Sequence, residues 1–144
     1  MSKSSKVGKR GRARVLTVQA LYQMQITGHD LAELRSQFKS RPEYERVDQD
    51  YFNDALTTIC ENQEEIENEI AEFADRPVEQ LDPVERGILL LGIYEFQSVA
   101  DVPYRVVINE AVNLAKRMGA EDGYKYINAL LDRASKKLRP AERA

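Results

Sequence analysis

Little in this chain of 144 residues equips it for covalent chemistry. A single cysteine, Cys60, excludes an internal disulfide framework, and its place among Leu56, Ile59 and Gln63 marks it as a helix-packing residue. The only histidine, His29, stands in a Gly28-His29-Asp30 turn with no second histidine or nearby cysteine, which excludes a His/Cys metal set and leaves no serine with a histidine base. There is no glycine-rich phosphate loop. Adjacent acids such as Glu64 and Glu65 point about 100° apart on a helix, the wrong geometry for a carboxylate dyad. No stretch approaches the roughly 18 apolar residues of a membrane span, and the N-terminus lacks the apolar core of a signal peptide. The expectation is a non-catalytic binding protein, cytoplasmic, with no cofactor, metal or membrane partner. No segment sustains a period of two, and internal repeats and low-complexity tracts are absent as well.

Helical punctuation is abundant. Val15, Leu16, Val18, Leu21, Tyr22 and Ile26 form an apolar series at helical spacing, ended by Gly28. Asp30 with Glu33 forms a capping box for a short helix bearing Leu31, Leu34 and Phe38, which Ser40-Arg41-Pro42 breaks. From Asp48 to Ala74 the positions Phe52, Ala55, Ile59, Ile66, Ile70 and Phe73 imply one long helix or two abutting ones. Asp82-Pro83-Val84-Glu85 is a helix start, with Asp82 as N-cap and Pro83 at the first position. The following Ile88-Leu89-Leu90-Leu91-Gly92-Ile93-Tyr94 is apolar on nearly every face and reads as the buried spine. Asp101-Val102-Pro103 opens another helix with Val106, Val107, Ala111, Leu114 and Met118 inward, stopped by Gly119, and a last helix runs from about 122 to 138. The class is all-α, one compact domain of about six or seven helices. A chain of this length and 42% apolar composition buries about two-thirds of its unfolded surface.

Charge is distributed unevenly. The first fourteen residues carry Lys3, Lys6, Lys9, Arg10, Arg12 and Arg14 and no acid, in a protein whose net charge is −3. Residues 43–85 hold 15 acids and 2 bases, whereas residues 100–139 hold 5 acids and 8 bases. One side therefore repels a polyanion, and the other side, together with the basic arm, attracts it. Cations at the start of a helix oppose its macrodipole, a cost that a bound anion relieves. On the last helix, Tyr124, Ile127, Leu130, Leu131, Ala134 and Leu138 share the inward stripe, leaving Asp122, Lys125 and Tyr126 on the flank and far side. A ring for stacking, an ammonium for phosphate and a carboxylate for base edges are the elements of single-stranded RNA recognition.

Arg12-Ala13-Arg14 through Val18-Gln19-Ala20-Leu21-Tyr22, Asp101-Val102-Pro103-Tyr104 with Ile108-Asn109-Glu110-Ala111, and Gly119-Ala120-Glu121-Asp122 with Tyr126-Ile127-Asn128-Ala129-Leu130-Leu131-Asp132 together resemble the NusB family of bacterial transcription antitermination factors. The resemblance covers nearly the whole chain in order. It implies two packed helix groups within an all-helical RNA-binding domain over 12–139, preceded by a flexible basic arm over 1–11 and followed by a short tail over 140–144. It also implies binding of the single-stranded boxA element of RNA with the ribosomal protein NusE, within an RNA polymerase antitermination complex on ribosomal RNA operons. By position the implied RNA contacts are Arg10, Arg12, Arg14, Tyr22, Glu79, Asp122, Lys125 and Tyr126, and the implied contact to the ribosomal partner is Glu85, presented outward. Two departures stand out: Gly11 interrupts the arginine run, and Leu90 stands where the family often has arginine. The same fold occurs as an appendage on RNA cytosine methyltransferases, for whose cofactor-binding domain a chain ending at Ala144 has no room. An alternative is a protein-interaction adaptor that binds through its acidic middle without touching RNA. Either a monomer or a homodimer is compatible with the sequence when the protein is free.

Overall fold

The structure is a computed structural model that describes residues 8–119 and 121–144. Among the described residues it contains eight α-helices and no strand: α1 (Lys9–Thr27), α2 (Leu31–Lys39), α3 (Gln49–Glu61), α4 (Gln63–Phe73), α5 (Pro83–Ser98), α6 (Tyr104–Met118), α7 (Gly123–Leu138) and α8 (Pro140–Arg143). Two 3-10 turns, Pro42–Arg46 and Val78–Gln80, join α2 to α3 and α4 to α5.

The breaks follow local chemistry. Gly28 ends α1 in the left-handed region, φ 76°, where an L side chain is strained. Asp30 accepts from the Glu33 amide, and Glu33 reaches back to the Asp30 amide, both at 2.9 Å, completing the capping box. Asp82 accepts from the amides of Val84 and Glu85 at 3.1 Å. The stretch from 48 to 74 divides into α3 and α4 around Asn62.

α5 is the spine, buried without interruption from Ile88 to Phe96. On one side α1, α2 and α3 form a group; on the other α4, α6 and α7 form a second, and α5 packs on members of both. Gly92 brings α7 close, since a methyl group there would lie 3.0 Å from Leu131 Cδ1. Cys60 is half-buried with Sγ 3.9 Å from Met24 Sδ, and burial pushes its thiol up.

Two boundaries and one inward residue differ from the sequence reading. α1 starts at Lys9, so Lys9, Arg10 and Gly11 are helical residues; Lys3 and Lys6 lie outside the described residues. Val106 faces outward at 39% exposure, because the buried stripe of α6 is carried by Val107, Ile108, Ala111, Leu114 and Ala115. The final residues are not a plain tail. Arg139 is buried and donates to the carbonyls of Glu95, Phe96 and Val99 at 3.0, 2.7 and 3.0 Å, satisfying the C-terminal end of α5. Glu142 accepts from the Tyr104 amide at 2.9 Å and so caps α6.

Candidate nucleic-acid interface

α1 buries one face and exposes another along its length. Arg12, Val15, Gln19, Tyr22 and Ile26, spaced three and four residues apart, form the outer stripe. It is flanked on one side by Arg41 and the Pro42–Arg46 turn, and on the other by Arg117 and Met118 at the end of α6. Two hollows of about 430 and 500 Å³ lie in tandem along this stripe and share Gln19. One end is basic, with Arg12, Arg46 and Arg117 around Glu43. The other is apolar, with Tyr22 43% and Ile26 58% exposed beside Val84 and Met118.

Val84 leads to the start of α7. Its neighbour Glu85 rests against Gly123, so closely that a methyl group on Gly123 would overlap the Glu85 carboxylate. Just before it, Asp122 adopts φ 68°, a left-handed conformation that aspartate tolerates better than most residues. Asp122 and Lys125 are exposed and lie 3.5 Å apart. Tyr126 is half-buried. Its hydroxyl donates to Asp75 Oδ1 at 3.3 Å and accepts from the Asp75 amide at 3.4 Å. The Arg76 guanidinium lies 5.2 Å from the ring centroid and is held by Asp75 through bonds of 2.8 and 3.1 Å. Hydrogen bonding from Arg76 lowers the Asp75 carboxyl, and burial raises the Tyr126 phenol. The hollow beside Tyr22 thus reaches Val84, and the adjacent Glu85 touches Gly123 at the start of the helix that carries Lys125 and Tyr126.

Not every residue singled out from sequence presents itself on this surface. Arg14 is turned inward: its Nε donates to Glu95 Oε2 at 2.7 Å, its Nη1 lies 3.6 Å from Glu110, and Tyr51 donates to the same Glu95 oxygen. Only 6% of Arg14 is exposed, because its long stem lies on the inner side of α1, where a buried carboxylate requires a cation. Arg10 is half-exposed, 3.9 Å from Asp48 and 3.8 Å from Asp101, with its guanidinium beside the Tyr51 ring. Glu79 is exposed but opens on a different hollow, lined by Glu64, Glu67 and Asn68. Glu85 is 9% exposed, not presented outward; burial first, and Asp82 second, raise its carboxyl, while Arg76 opposes them. Leu90 is fully buried and offers no contact at all. Part of the acidic side is used internally, with Glu67 on Arg86 and both Glu69 and Glu72 on Lys137.

Conversely, Arg41, Arg46, Arg76 and Arg117 line this surface without having been picked out from sequence. Arg46 and Arg76 were visible only as the two bases of an acidic segment, and Arg117 as one of a cationic pair, Lys116-Arg117, that complements the α6 macrodipole.

The NusB family model matches residues 11–136. The transcription antitermination protein NusB of Alcanivorax borkumensis is 42% identical over 99% of this chain and 95% of its own length. The protein of that name from Pseudomonas entomophila is 46% identical over 97% of this chain and 84% of its own. The solved structure of T. maritima NusB superposes with a TM-score of 0.78 at 29% identity, covering 88% of this chain and 89% of that one. With the matched residues spanning both helix groups and the whole surface just described, the chain belongs to the NusB family.

Proposed function

We propose that this protein is a transcription antitermination factor that binds single-stranded RNA of the boxA type along the α1–α7 surface and acts jointly with the ribosomal protein NusE in the RNA polymerase antitermination complex, notably on ribosomal RNA operons. The observation that carries the reading is the gathering of Arg12, Arg41, Arg46 and Arg117 with the exposed Tyr22 ring along one stripe of α1, in an otherwise acidic molecule. Arg10, Arg12 and the residues before them supply the phosphate contacts, Tyr22 and Tyr126 the stacking faces, and Asp122 and Lys125 the polar contacts at the start of α7. Arg14 contributes by holding α1 in place rather than by touching the strand. Glu79 contacts RNA from the neighbouring turn. Glu85 serves the partner surface by bracing the first residue of α7.

RNA enters the Tyr126 site by displacing Arg76 from the ring, and the guanidinium moves onto a phosphate. Titration of a short boxA-like RNA, with and without the ribosomal protein, tests the proposal. Salt-sensitive binding that the partner tightens is the expected result; no RNA affinity in either arm would overturn it and leave the acidic side as the binding surface.

A further inference from the structure

The basic end of the α1 surface is a built cavity and not merely a charged patch. Its floor is apolar, made by Val15, Leu16 and Val47, and its volume of about 430 Å³ lies in the range of small-ligand sites. Arg12, Arg46 and Arg117 come to it from three separate elements, α1, the Pro42–Arg46 turn and α6. None of the three forms an ion pair among the described residues, although 24 acids are available in the chain. Glu43 is the only acid in the lining, so the cavity carries an excess of two positive charges. Of the other described arginines, Arg10, Arg14, Arg76, Arg86, Arg139 and Arg143 lie near carboxylates, Arg35 and Arg133 donate to oxygens of Thr57 and Phe73, and Arg41 and Arg105 lie over the Phe38 and Tyr104 rings. Three converging guanidinium groups without carboxylates, above an apolar floor, match a phosphate attached to a flat apolar group.

We infer that this cavity is a nucleotide subsite: Arg46 and Arg117 join Arg12 in gripping one phosphodiester of the bound RNA, and the attached base lies on Val15, Leu16 and Val47. The inference rests on the RNA-binding reading above and extends it to residues outside the family motif. The neighbouring hollow, reached through Gln19, carries the strand on toward Tyr22.

The test compares the full-length protein with the Arg46→Gln/Arg117→Gln double variant, and with Arg105→Gln/Lys136→Gln, which removes two exposed cations away from the cavity. RNA affinity is measured from 50 to 200 mM salt. Losing one phosphate contact makes the slope of log affinity against log salt shallower by roughly 0.7, so the fold-loss across that range shrinks by a factor of about 2.6. The charge-matched control keeps the wild-type slope, and excess inorganic pyrophosphate competes with RNA in the wild type but not in the cavity variant. Equal slopes in all three proteins would overturn the subsite. So would a cavity variant that loses pyrophosphate while binding RNA as before, since the cavity would then serve a free anion. Wild-type binding that Tyr126→Ala weakens but the arginine pair leaves intact refutes this subsite alone, whereas a wild type without RNA affinity refutes the broader reading.

Discussion

Two ionisable residues illustrate how environment decides what a side chain does. Arg14 sits in an arginine-rich segment, yet the Glu95 carboxylate, 2% exposed, commits it to the core. Removing one partner of such a pair leaves an uncompensated buried charge, so Arg14→Ala is expected to cost about 3 to 5 kcal/mol in urea denaturation. Arg14→Met with Glu95→Gln, which removes both charges, should recover most of that loss. A single variant as stable as the wild type would show that the pair is not desolvated. Glu85 presents the opposite situation, a carboxylate raised by burial. A raised folded-state value favours the protonated form, so its stabilising contribution is present at low pH and is lost as pH rises through the folded value. Wild type should therefore gain stability relative to Glu85→Gln as the pH falls from 7 toward 4. A pH-independent difference between the two melting curves would contradict this.

At the level of elements, α5 shows how far a sequence pattern reaches. Its run of apolar residues fits only a helix surrounded by others, and burial from Ile88 to Phe96 follows from that pattern. Leu91→Ala is expected to destabilise the protein by roughly 2 to 5 kcal/mol; a loss well below 1 kcal/mol would mean that the spine relaxes around the cavity. Helix starts were equally legible wherever a side chain caps its own backbone, as Asp30, Asp48 and Asp82 do. Contacts made across the sequence were not. Arg139 closing the carbonyl end of α5, and Glu142 capping α6 from 38 residues away, leave no periodic trace, and a proline-led terminal segment reads as a tail until its partners are seen. Val106 was misplaced because the buried stripe of α6 runs through Val107 and Ile108, and spacing alone did not rank Val106 below Ile108. The candidate surface was half legible for the same reason: Tyr22, Asp122 and Lys125 lie on recognisable faces, while Arg46, Arg76 and Arg117 join them only through tertiary packing.

For the molecule as a whole, the partition of charge has a measurable signature. If the basic N-terminal residues and Lys125 neutralise three or four phosphates of a single strand, log affinity falls against log salt with a slope of roughly −2 to −3, a loss of roughly 16- to 64-fold between 50 and 200 mM. Removing residues 1–8, which spares α1, should flatten that slope by about 1. Tyr126→Ala should leave it nearly intact while costing about 1 to 3 kcal/mol, the worth of one stacked base. Equal slopes with and without residues 1–8 would show that these residues never meet the phosphates.

The exposed stripe of α1 is chemically unequal at its two ends. Arginines gather at Arg12 and apolar groups at Ile26, about 21 Å further along a single rigid helix. A bound strand therefore has two non-equivalent orientations, and the 5′-to-3′ sense of the RNA becomes something the protein can distinguish. Reversing the order of bases in an RNA of unchanged composition should weaken binding, and a fluorophore should respond to binding differently at one end of the strand than at the other.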